Sequence, residues 1–235
     1  MKDSRKPDAA ARQLTLELAP DPRFGVDDFL VSESNAQAFD TIEGWPNWPD
    51  SVLLVLGPTG AGKSHLATIW ANRSGAKVLK GEDLAGANLA SLAACSAVLI
   101  EDADAIGAAE AQLFHLLNLI REKKGALLLT ARSWPDSWGL KTADLLSRLR
   151  LAPTVEIGEP DDALVRAVLV KLFLDRQLMV DAGVVEYIAI RLDRSLAAAR
   201  TFVEVLDREA LARGRAITKA MAGDVLRLLD ENVEL

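Results

Sequence analysis

The stretch VLLVLGPTGAGKSHL, residues 52 to 66, decides the fold of this chain. Its first five residues, Val52 to Leu56, are all apolar, as in a strand that is buried on both faces of a parallel sheet. The next eight, Gly57 to Ser64, match the pattern GxxxxGK followed by Ser or Thr, and a helical stretch then runs to Ser74 before Gly75. A strand, a glycine-rich loop and a helix in this order predict a phosphate-binding loop.

The residue types in this loop suit a nucleotide. Glycines let the backbone curl so that successive N–H groups point at phosphate oxygens, and the following helix adds the partial positive charge of its N-terminus. We expect Lys63 to reach the β- and γ-phosphates of ADP or ATP, and the hydroxyl of Ser64 to ligate Mg²⁺. A glycine-rich turn without a ligand is the alternative interpretation. The predicted nucleotide-binding residues of the loop are Gly57, Pro58, Thr59, Gly60, Ala61, Gly62, Lys63, Ser64 and His65, the last interpreted as a packing residue without a catalytic role.

Further apolar runs predict the rest of an α/β sheet. Runs of strand length lie at 97 to 100, 126 to 130 and 155 to 157, with a weaker one at 76 to 79. Helical stretches separate them, and the one from Glu110 to Lys124 carries its leucines on one face. Strands and helices that alternate in this way predict a parallel sheet flanked by helices on both faces.

The chain changes character after Pro160, where the strands cease. Four polar residues stand where a side chain can cap a following helix, namely Asp161, Asp181, Ser195 and Thr218. Residues 1 to 22 mix charges with prolines and offer little to bury, so we expect a disordered tail. The predicted organisation is a tail over 1–22, an α/β nucleotide-binding domain over 23–158 and a small four-helix domain over 159–235.

The composition of the 235 residues excludes several classes of protein. With 27 basic and 34 acidic residues the net charge is −7, which argues against a protein that finds nucleic acid by bulk electrostatics. A single cysteine, Cys95, excludes an intramolecular disulfide and cysteine-based zinc sites. No apolar run approaches the ~20 residues that span a bilayer, and the N-terminus is charged. We therefore expect a cytoplasmic protein without membrane contact.

Acidic and polar residues follow two of the predicted strands. Glu101 and Asp102 come directly after the run at 97–100, at the edge where ligands bind in such sheets. We predict that one of them orients the Mg²⁺ shell and the other polarises the attacking water; which does which stays open, and a solvated strand end is the alternative. Thr130 is predicted to hydrogen-bond a γ-phosphate or that water, unless it is an ordinary β-branched strand residue. Asp104 is expected on a solvent-exposed turn.

Three segments resemble the AAA+ ATPases of the initiator clade, the group of the replication initiator DnaA. They are FGVDDFLVSESN at 24–35, GKSHL at 62–66 and LLSRL at 145–149, and the resemblance covers essentially the whole chain. It implies an AAA+ sheet domain followed by a helical lid, with an adenine pocket formed in part by Phe29, Leu30 and Val31. It also implies a homo-oligomer, since AAA+ nucleotide sites usually lie between subunits.

The same resemblance assigns roles to two arginines. Arg148, within LLSRL, corresponds to the arginine that points into a neighbouring subunit's nucleotide, so it would supply charge in trans; an intramolecular ion pair is the alternative. The lid arginine that touches the γ-phosphate in relatives aligns with Ala197. Arg200 lies nearly on the same helix face and is either its replacement or a surface residue. Because the acid pair also has the reverse of the usual order, we expect weak or no intrinsic ATPase activity.

The tail contains the peptide QLTLEL at 13–18, which resembles the sliding-clamp-binding peptide of regulators related to DnaA. An extended strand would present Gln13 for hydrogen bonds and its leucines to an apolar pocket, the leucines being Leu14, Leu16 and Leu18. Leucines with a period of two equally suit an edge strand of this protein's own sheet. DnaA carries a DNA-binding domain beyond the lid, and we expect none after the fourth helix here. The resemblance thus implies a regulator that promotes hydrolysis of DnaA-bound ATP, with DnaA and the DNA polymerase sliding clamp as partners and DNA met only indirectly.

Two other functions use the same phosphate loop. An AAA+ ATPase of the helicase-loader type would grip single-stranded DNA and show DNA-stimulated ATPase activity. A P-loop kinase would act on a small molecule as a monomer, with a substrate pocket in place of the lid. The acidic net charge and the QLTLEL peptide disfavour the first, and the four predicted helices after Pro160 disfavour the second.

Overall fold

The computed structural model describes residues 25–233 and contains a five-stranded sheet followed by a helical unit. The strands are β1 (Val52–Leu56), β2 (Lys77–Lys80), β3 (Ala97–Glu101), β4 (Ala126–Ala131) and β5 (Thr154–Glu156). They pair in the order β2-β3-β4-β1-β5 and every pair is parallel, which places β1 and β4 side by side within the sheet. The predicted fold class, a parallel α/β sheet with a helical C-terminal region, is confirmed.

The helices fall into two groups. Those around the sheet are α1 (Ala36–Glu43), α2 (Lys63–Ser74), α3 (Leu89–Ala94), α4 (Glu110–Glu122) and α5 (Ala143–Leu151). Those of the helical unit are α6 (Asp162–Asp175), α7 (Ala182–Ala189), α8 (Leu196–Arg213) and α9 (Lys219–Val233). In this described part of the chain, no helix combines the length and the apolar character needed to cross a membrane.

The side chains of β1 alternate between the two faces of the sheet. Leu53 and Val55 pack in the cluster that contains the apolar residues of α1 and α2, whereas Val52, Leu54 and Leu56 pack with those of α4. All five are buried, because helices cover both faces and the strand therefore needs an apolar residue at every position. This packing holds the carboxyl end of β1 in place, and the phosphate loop starts there.

The helical unit has an apolar core of its own, in which Phe173, Ile188 and Phe202 are buried. Each of its helices starts where the sequence predicts. At each start a side-chain oxygen accepts a hydrogen bond from a backbone N–H. The accepting side chains and the residues that donate to them are Asp161 from Leu164, Asp181 from Gly183, Ser195 from Ala198 and Thr218 from Met221. These bonds satisfy N–H groups that have no partner inside the helix, which is why these residue types mark helix starts.

The first turn of α8 lies directly on the phosphate loop. The backbone N–H of Leu196 donates to the carbonyl oxygen of Gly60 at 2.8 Å. A Cβ atom placed on Gly60 would lie 2.0 Å from the hydroxyl oxygen of Ser195, so that only glycine allows this approach. The helical unit is thereby attached to the loop that follows β1.

Candidate nucleotide-binding site

The phosphate loop runs from Gly57 to Gly62, between the end of β1 and the start of α2. Gly60 and Gly62 have φ angles of 77° and 105°, in the left-handed region that residues with a side chain rarely adopt. The backbone curls around this turn, with the N–H of Ala61 donating to the carbonyl of Pro58 at 3.3 Å. Lys63 then begins α2, so the positive end of that helix faces the loop.

Lys63 is held inside the curl of the loop. Its side chain is buried, and Nζ donates to the carbonyl oxygens of Gly57 and Pro58 at 2.7 and 2.9 Å. Burial lowers the pKa of the ammonium, the carboxylates of Asp102 and Asp104 act in the opposite direction, and the charge of Arg132 lowers it further. An ammonium has three N–H donors and the two carbonyls take two of them, which leaves one for an anion in the loop. Ser64, the next residue, is exposed.

The two predicted acids stand at the carboxyl end of β3. Oε1 of Glu101 is buried and has no hydrogen-bond partner within the described residues. Asp102 follows with a φ of 49°, in the left-handed region, and its side chain is exposed. Its backbone N–H donates to the hydroxyl of Thr130 at 3.2 Å, which fixes the turn that carries the carboxylate. The charge of the Asp102 carboxylate acts on the ammonium of Lys63 and raises its pKa.

Thr130 is buried in β4, with 1 % of its surface exposed. Its hydroxyl oxygen accepts the N–H of Asp102, so its observed contact is to the backbone of the acidic turn. A contact with a γ-phosphate or a water molecule stays a prediction.

The expectation that Asp104 lies on a solvent-exposed turn is wrong. Its side chain is only 15 % exposed, because the short 3-10 turn Ala103–Ala105 packs against the end of β4. There Oδ2 of Asp104 lies 3.5 Å from Nε of Arg132, the residue that follows β4. The sequence interpretation missed Arg132 altogether, although its position directly after a buried strand at the ligand-binding edge is a usable indication.

The three predicted adenine-pocket residues differ in their surroundings. The ring of Phe29 is stacked on Phe39 at 5.5 Å and meets His65 edge-on at 5.3 Å. Leu30 lines a groove of about 710 Å³ along α6, together with Ala167 and other residues of that helix. Val31 is about half exposed. The structure thus places Phe29 near Gly62 of the loop, where Leu196 of α8 also lies, and Leu30 beside α6.

His65 follows the phosphate loop on α2, and its pKa responds to the charge of Arg200. Nε2 of His65 lies 3.3 Å from the carbonyl oxygen of Gly25, and burial lowers the pKa of the imidazole below its usual value. The charge of Arg200, on α8, also lowers that pKa. A role for Arg200 at a phosphate stays a prediction.

Arg148 lies on α5, with its side chain about one-third exposed. Nη1 donates to Oδ1 of Asn118 at 2.6 Å, Nε lies 3.7 Å from Oδ2 of Asp144, and the guanidinium stands over the ring of Phe114 at 4.7 Å. The intramolecular ion pair considered as the alternative is therefore present. All three partners belong to α4 or α5 and none to the phosphate loop, so a role in trans stays a prediction.

The predicted clamp-binding residues lie outside the described residues, and the structure does not test them. They are Gln13, Leu14, Leu16 and Leu18.

The donor set at the loop suits a magnesium–nucleotide complex. Between residues 25 and 233 no group of three or more His, Cys, Asp or Glu side chains is arranged to hold a metal ion. Mg²⁺ would therefore need phosphate oxygens and water in addition to the oxygens of Ser64, Glu101 and Asp102. The buried, unpartnered Oε1 of Glu101 and the free donor of Lys63 are the groups that such a complex would satisfy.

The strand order, the loop after β1 and the helical unit define a P-loop fold of the α/β class. No protein-family model matches the sequence, and no curated protein does. Solved structures do match. Domain III of the Thermotoga maritima replication initiation protein DnaA has a TM-score of 0.74 and 16 % identity, covering 88 % of this chain and 96 % of that chain.

Two further solved structures have a similar fold. The replication initiator DnaA bound to AMPPCP and single-stranded DNA has a TM-score of 0.67 and 19 % identity, covering 82 % of this chain and 68 % of that chain. The Thermotoga maritima RuvB Holliday junction branch migration motor has a TM-score of 0.68 and 17 % identity, covering 88 % of this chain and 72 % of that chain. The fold is thus the AAA+ fold, similar to that of the initiator DnaA. At these identities the likeness establishes the fold, and function has to be argued from the site.

Proposed function

We propose that this protein is a regulator of chromosome replication initiation that resembles Hda, the DnaA-related inactivator of DnaA. It binds ADP or ATP with Mg²⁺ and docks on the DNA polymerase sliding clamp through residues 13–18. From there Arg148 acts on the nucleotide held by DnaA and promotes its hydrolysis. The protein works in the cytoplasm, self-associates, and meets DNA only through the clamp.

The phosphate loop is the observation that carries the nucleotide part of this proposal. Lys63 is a buried cation with two of its donors already satisfied, so its position is set before any ligand arrives. The first turn of α2 begins at Lys63 and adds the partial positive charge of a helix N-terminus at the end of the loop. Bound Mg²⁺ would neutralise phosphate charge, and Ser64 with Glu101 or Asp102 would hold its shell.

Apolar groups near the loop and α6 support the proposed purine site. Phe29 is a mostly buried aromatic ring stacked on Phe39, and Leu30 opens onto the groove along α6. Arg200, on α8, acts electrostatically on His65. A nucleotide between these groups would contact both the sheet domain and the lid, because α8 starts at Gly60.

Arg148 supports the part of the proposal that concerns DnaA. Its partners Asn118, Asp144 and Phe114 hold the guanidinium at the surface of α5. A guanidinium has five N–H donors in a planar fork, and the terminal Nη2 is the end that the Asn118 and Asp144 contacts do not use. An arginine supplied in trans accelerates phosphoryl transfer by about 10³–10⁵. Intrinsic hydrolysis is expected to be slow, since the acid pair is reversed and Ala197 replaces the lid arginine.

The proposal is tested by following hydrolysis of ATP bound to purified DnaA, with sliding clamps loaded on DNA and the full chain added in its ADP form. The native chain is expected to accelerate hydrolysis. Arg148→Ala is expected to bring the rate back to that of DnaA alone, while ADP affinity and clamp binding stay unchanged. Arg150→Ala is the matched control, because Arg150 lies on the same helix, is more exposed and pairs with Asp136. A fully active Arg148→Ala variant contradicts the role in trans.

The clamp part is tested separately by a pull-down with purified sliding clamp. Replacing Gln13, Leu14 and Leu16 together with Ala is expected to abolish capture and to leave ADP binding intact. Retained capture would contradict the clamp-peptide assignment. Tight binding of single-stranded DNA with DNA-stimulated ATPase activity, in the absence of clamp, would instead identify a helicase-loader type of function.

A further inference from the structure

Arg132 stands at the phosphate side of the loop. β4 runs parallel to β1 with Ala131 opposite Leu56, and the carbonyl of Ala131 accepts the N–H of Gly57 at 3.2 Å. Arg132 is the next residue, so its backbone flanks the first residue of the phosphate loop. Lys63 binds the carbonyl of that same Gly57, so the ammonium of Lys63 and the backbone of Arg132 both lie beside Gly57.

Arg132 forms an ion pair that only partly uses its guanidinium. Nε lies 3.5 Å from Oδ2 of Asp104, and the arginine side chain is 57 % exposed. The carboxylate is much more buried, and its other oxygen, Oδ1, has no hydrogen-bond partner in the described part of the chain. The guanidinium is exposed and contacts the carboxylate through one nitrogen only. A stronger acceptor, such as a phosphate, can therefore replace the carboxylate as its partner.

Both members of the pair lie within electrostatic reach of Lys63. Asp104 raises the pKa of the Lys63 ammonium and Arg132 lowers it, so all three charges belong to one site. Thr130, the residue first predicted to meet a γ-phosphate here, is buried and accepts the N–H of Asp102. Arg132 is the cationic group at this strand end that remains accessible from solvent.

We propose that the Arg132–Asp104 pair distinguishes nucleoside triphosphates from diphosphates at this site. A terminal phosphate carries more charge and more acceptor oxygens than one carboxylate, so it draws the fork of Arg132 away from Asp104. A diphosphate ends short of that position and leaves the pair intact. Asp104 therefore competes with the third phosphate group, and the strength of the pair sets the preference between the two nucleotides. This inference rests on the nucleotide site proposed above.

The test is calorimetric titration of the full chain with Mg²⁺ and either ADP or AMPPCP, a triphosphate analogue that is not hydrolysed. Arg132→Ala is expected to lower AMPPCP affinity about tenfold, as for the loss of a hydrogen bond between charged groups, and to change ADP affinity less than about twofold. Arg132→Gln, which keeps most of the side-chain volume, is expected to give the same pattern. Asp104→Asn is expected to raise AMPPCP affinity about threefold without changing ADP affinity.

The matched control is Arg121→Ala. Arg121 also pairs with an aspartate, Asp50, at 3.3 Å, but Asp50 precedes β1 and so lies at the opposite edge of the sheet. This variant is expected to change neither affinity.

Equal effects of the Arg132 variants on both nucleotides, or no effect on either, would overturn the inference while leaving the proposed function intact. Lower AMPPCP affinity in Asp104→Asn would also overturn it, since Asp104 would then help to bind the triphosphate. If the native chain binds neither nucleotide, the proposed function itself fails.

Discussion

Two cations of this chain show how differently a site can be built. Lys63 is buried and its ammonium is held by the backbone carbonyls of Gly57 and Pro58, within the same short loop. Arg148 is about one-third exposed and its guanidinium is held by side chains, those of Asn118, Asp144 and Phe114. The first site depends on one contiguous stretch of backbone, and the second on two helices that the fold brings together.

The difference determines what each cation can do. Carbonyl oxygens at fixed positions in a curled loop fit a compact ammonium and leave no room for a wider group. Side chains at a helix surface allow some movement, and they present a guanidinium toward whatever approaches from outside. We therefore expect Lys63 to serve a ligand of its own chain and Arg148 to serve a ligand held by another molecule.

The largest expected effect comes from removing the buried cation. Lys63→Ala and Lys63→Arg are each expected to lower ADP affinity at least about 100-fold, as measured by calorimetry, because both lose the ammonium that the loop carbonyls position. Lys77→Ala, at an exposed position of the edge strand β2, is the control and should bind ADP normally. Normal affinity of Lys63→Arg would show that the loop needs only a positive charge, and the contrast with Arg148 would disappear.

A smaller effect is expected from the reverse exchange at the surface. Arg148→Lys keeps the charge but loses the planar fork and the stacking on Phe114, so stimulation of DnaA-bound ATP hydrolysis should fall about tenfold rather than vanish. Arg150→Lys on the same helix should leave the rate unchanged. Full activity of Arg148→Lys would contradict this expectation, because it would show that a positive charge suffices and that the planar shape of the guanidinium is not needed.

The smallest effect concerns the support of the acidic turn. Thr130→Val removes the hydroxyl that accepts the N–H of Asp102, and is expected to lower the free energy of unfolding by about 1 kcal/mol in urea titrations. Thr154→Val is the comparison, because that hydroxyl binds only a carbonyl two residues away and is partly exposed, so its loss should cost less. If Thr130→Val keeps its stability but loses triphosphate binding, the hydroxyl of Thr130 contacts the γ-phosphate directly, and its bond to Asp102 is not its main role.

Much of the fold was predictable because burial leaves a mark in the sequence. Strands covered on both faces must be apolar throughout, which is why β1 and β4 are recognisable, and the side chains that cap the lid helices mark their starts. The short helices α1, α3 and α5 were not predicted. In α1 only Ala38 and Ile42 are buried, and α3 is six residues long, so neither shows a helical period of useful length.

The same distinction applies to the candidate site: its local features were predictable from the sequence, and its contacts between distant elements were not. The phosphate loop was predictable, since its function lies in a local backbone shape that glycines and one lysine specify. The pairing of Asp104 with Arg132 was not, because it joins the turn after β3 to the end of β4 and exists only once the sheet has formed. Arg148 was found through resemblance, and its side-chain partners became visible only in the fold.

The hydrogen bond from Leu196 to Gly60 has a mechanical consequence. Both partners are backbone atoms, so no flexible side chain lies between the phosphate loop and α8 to absorb a displacement. α8 has 18 residues and is therefore about 27 Å long. If the phosphate loop shifts at Gly60, α8 would tilt with it. The displacement would grow with distance along the helix and would be largest near Gly214, at its far end.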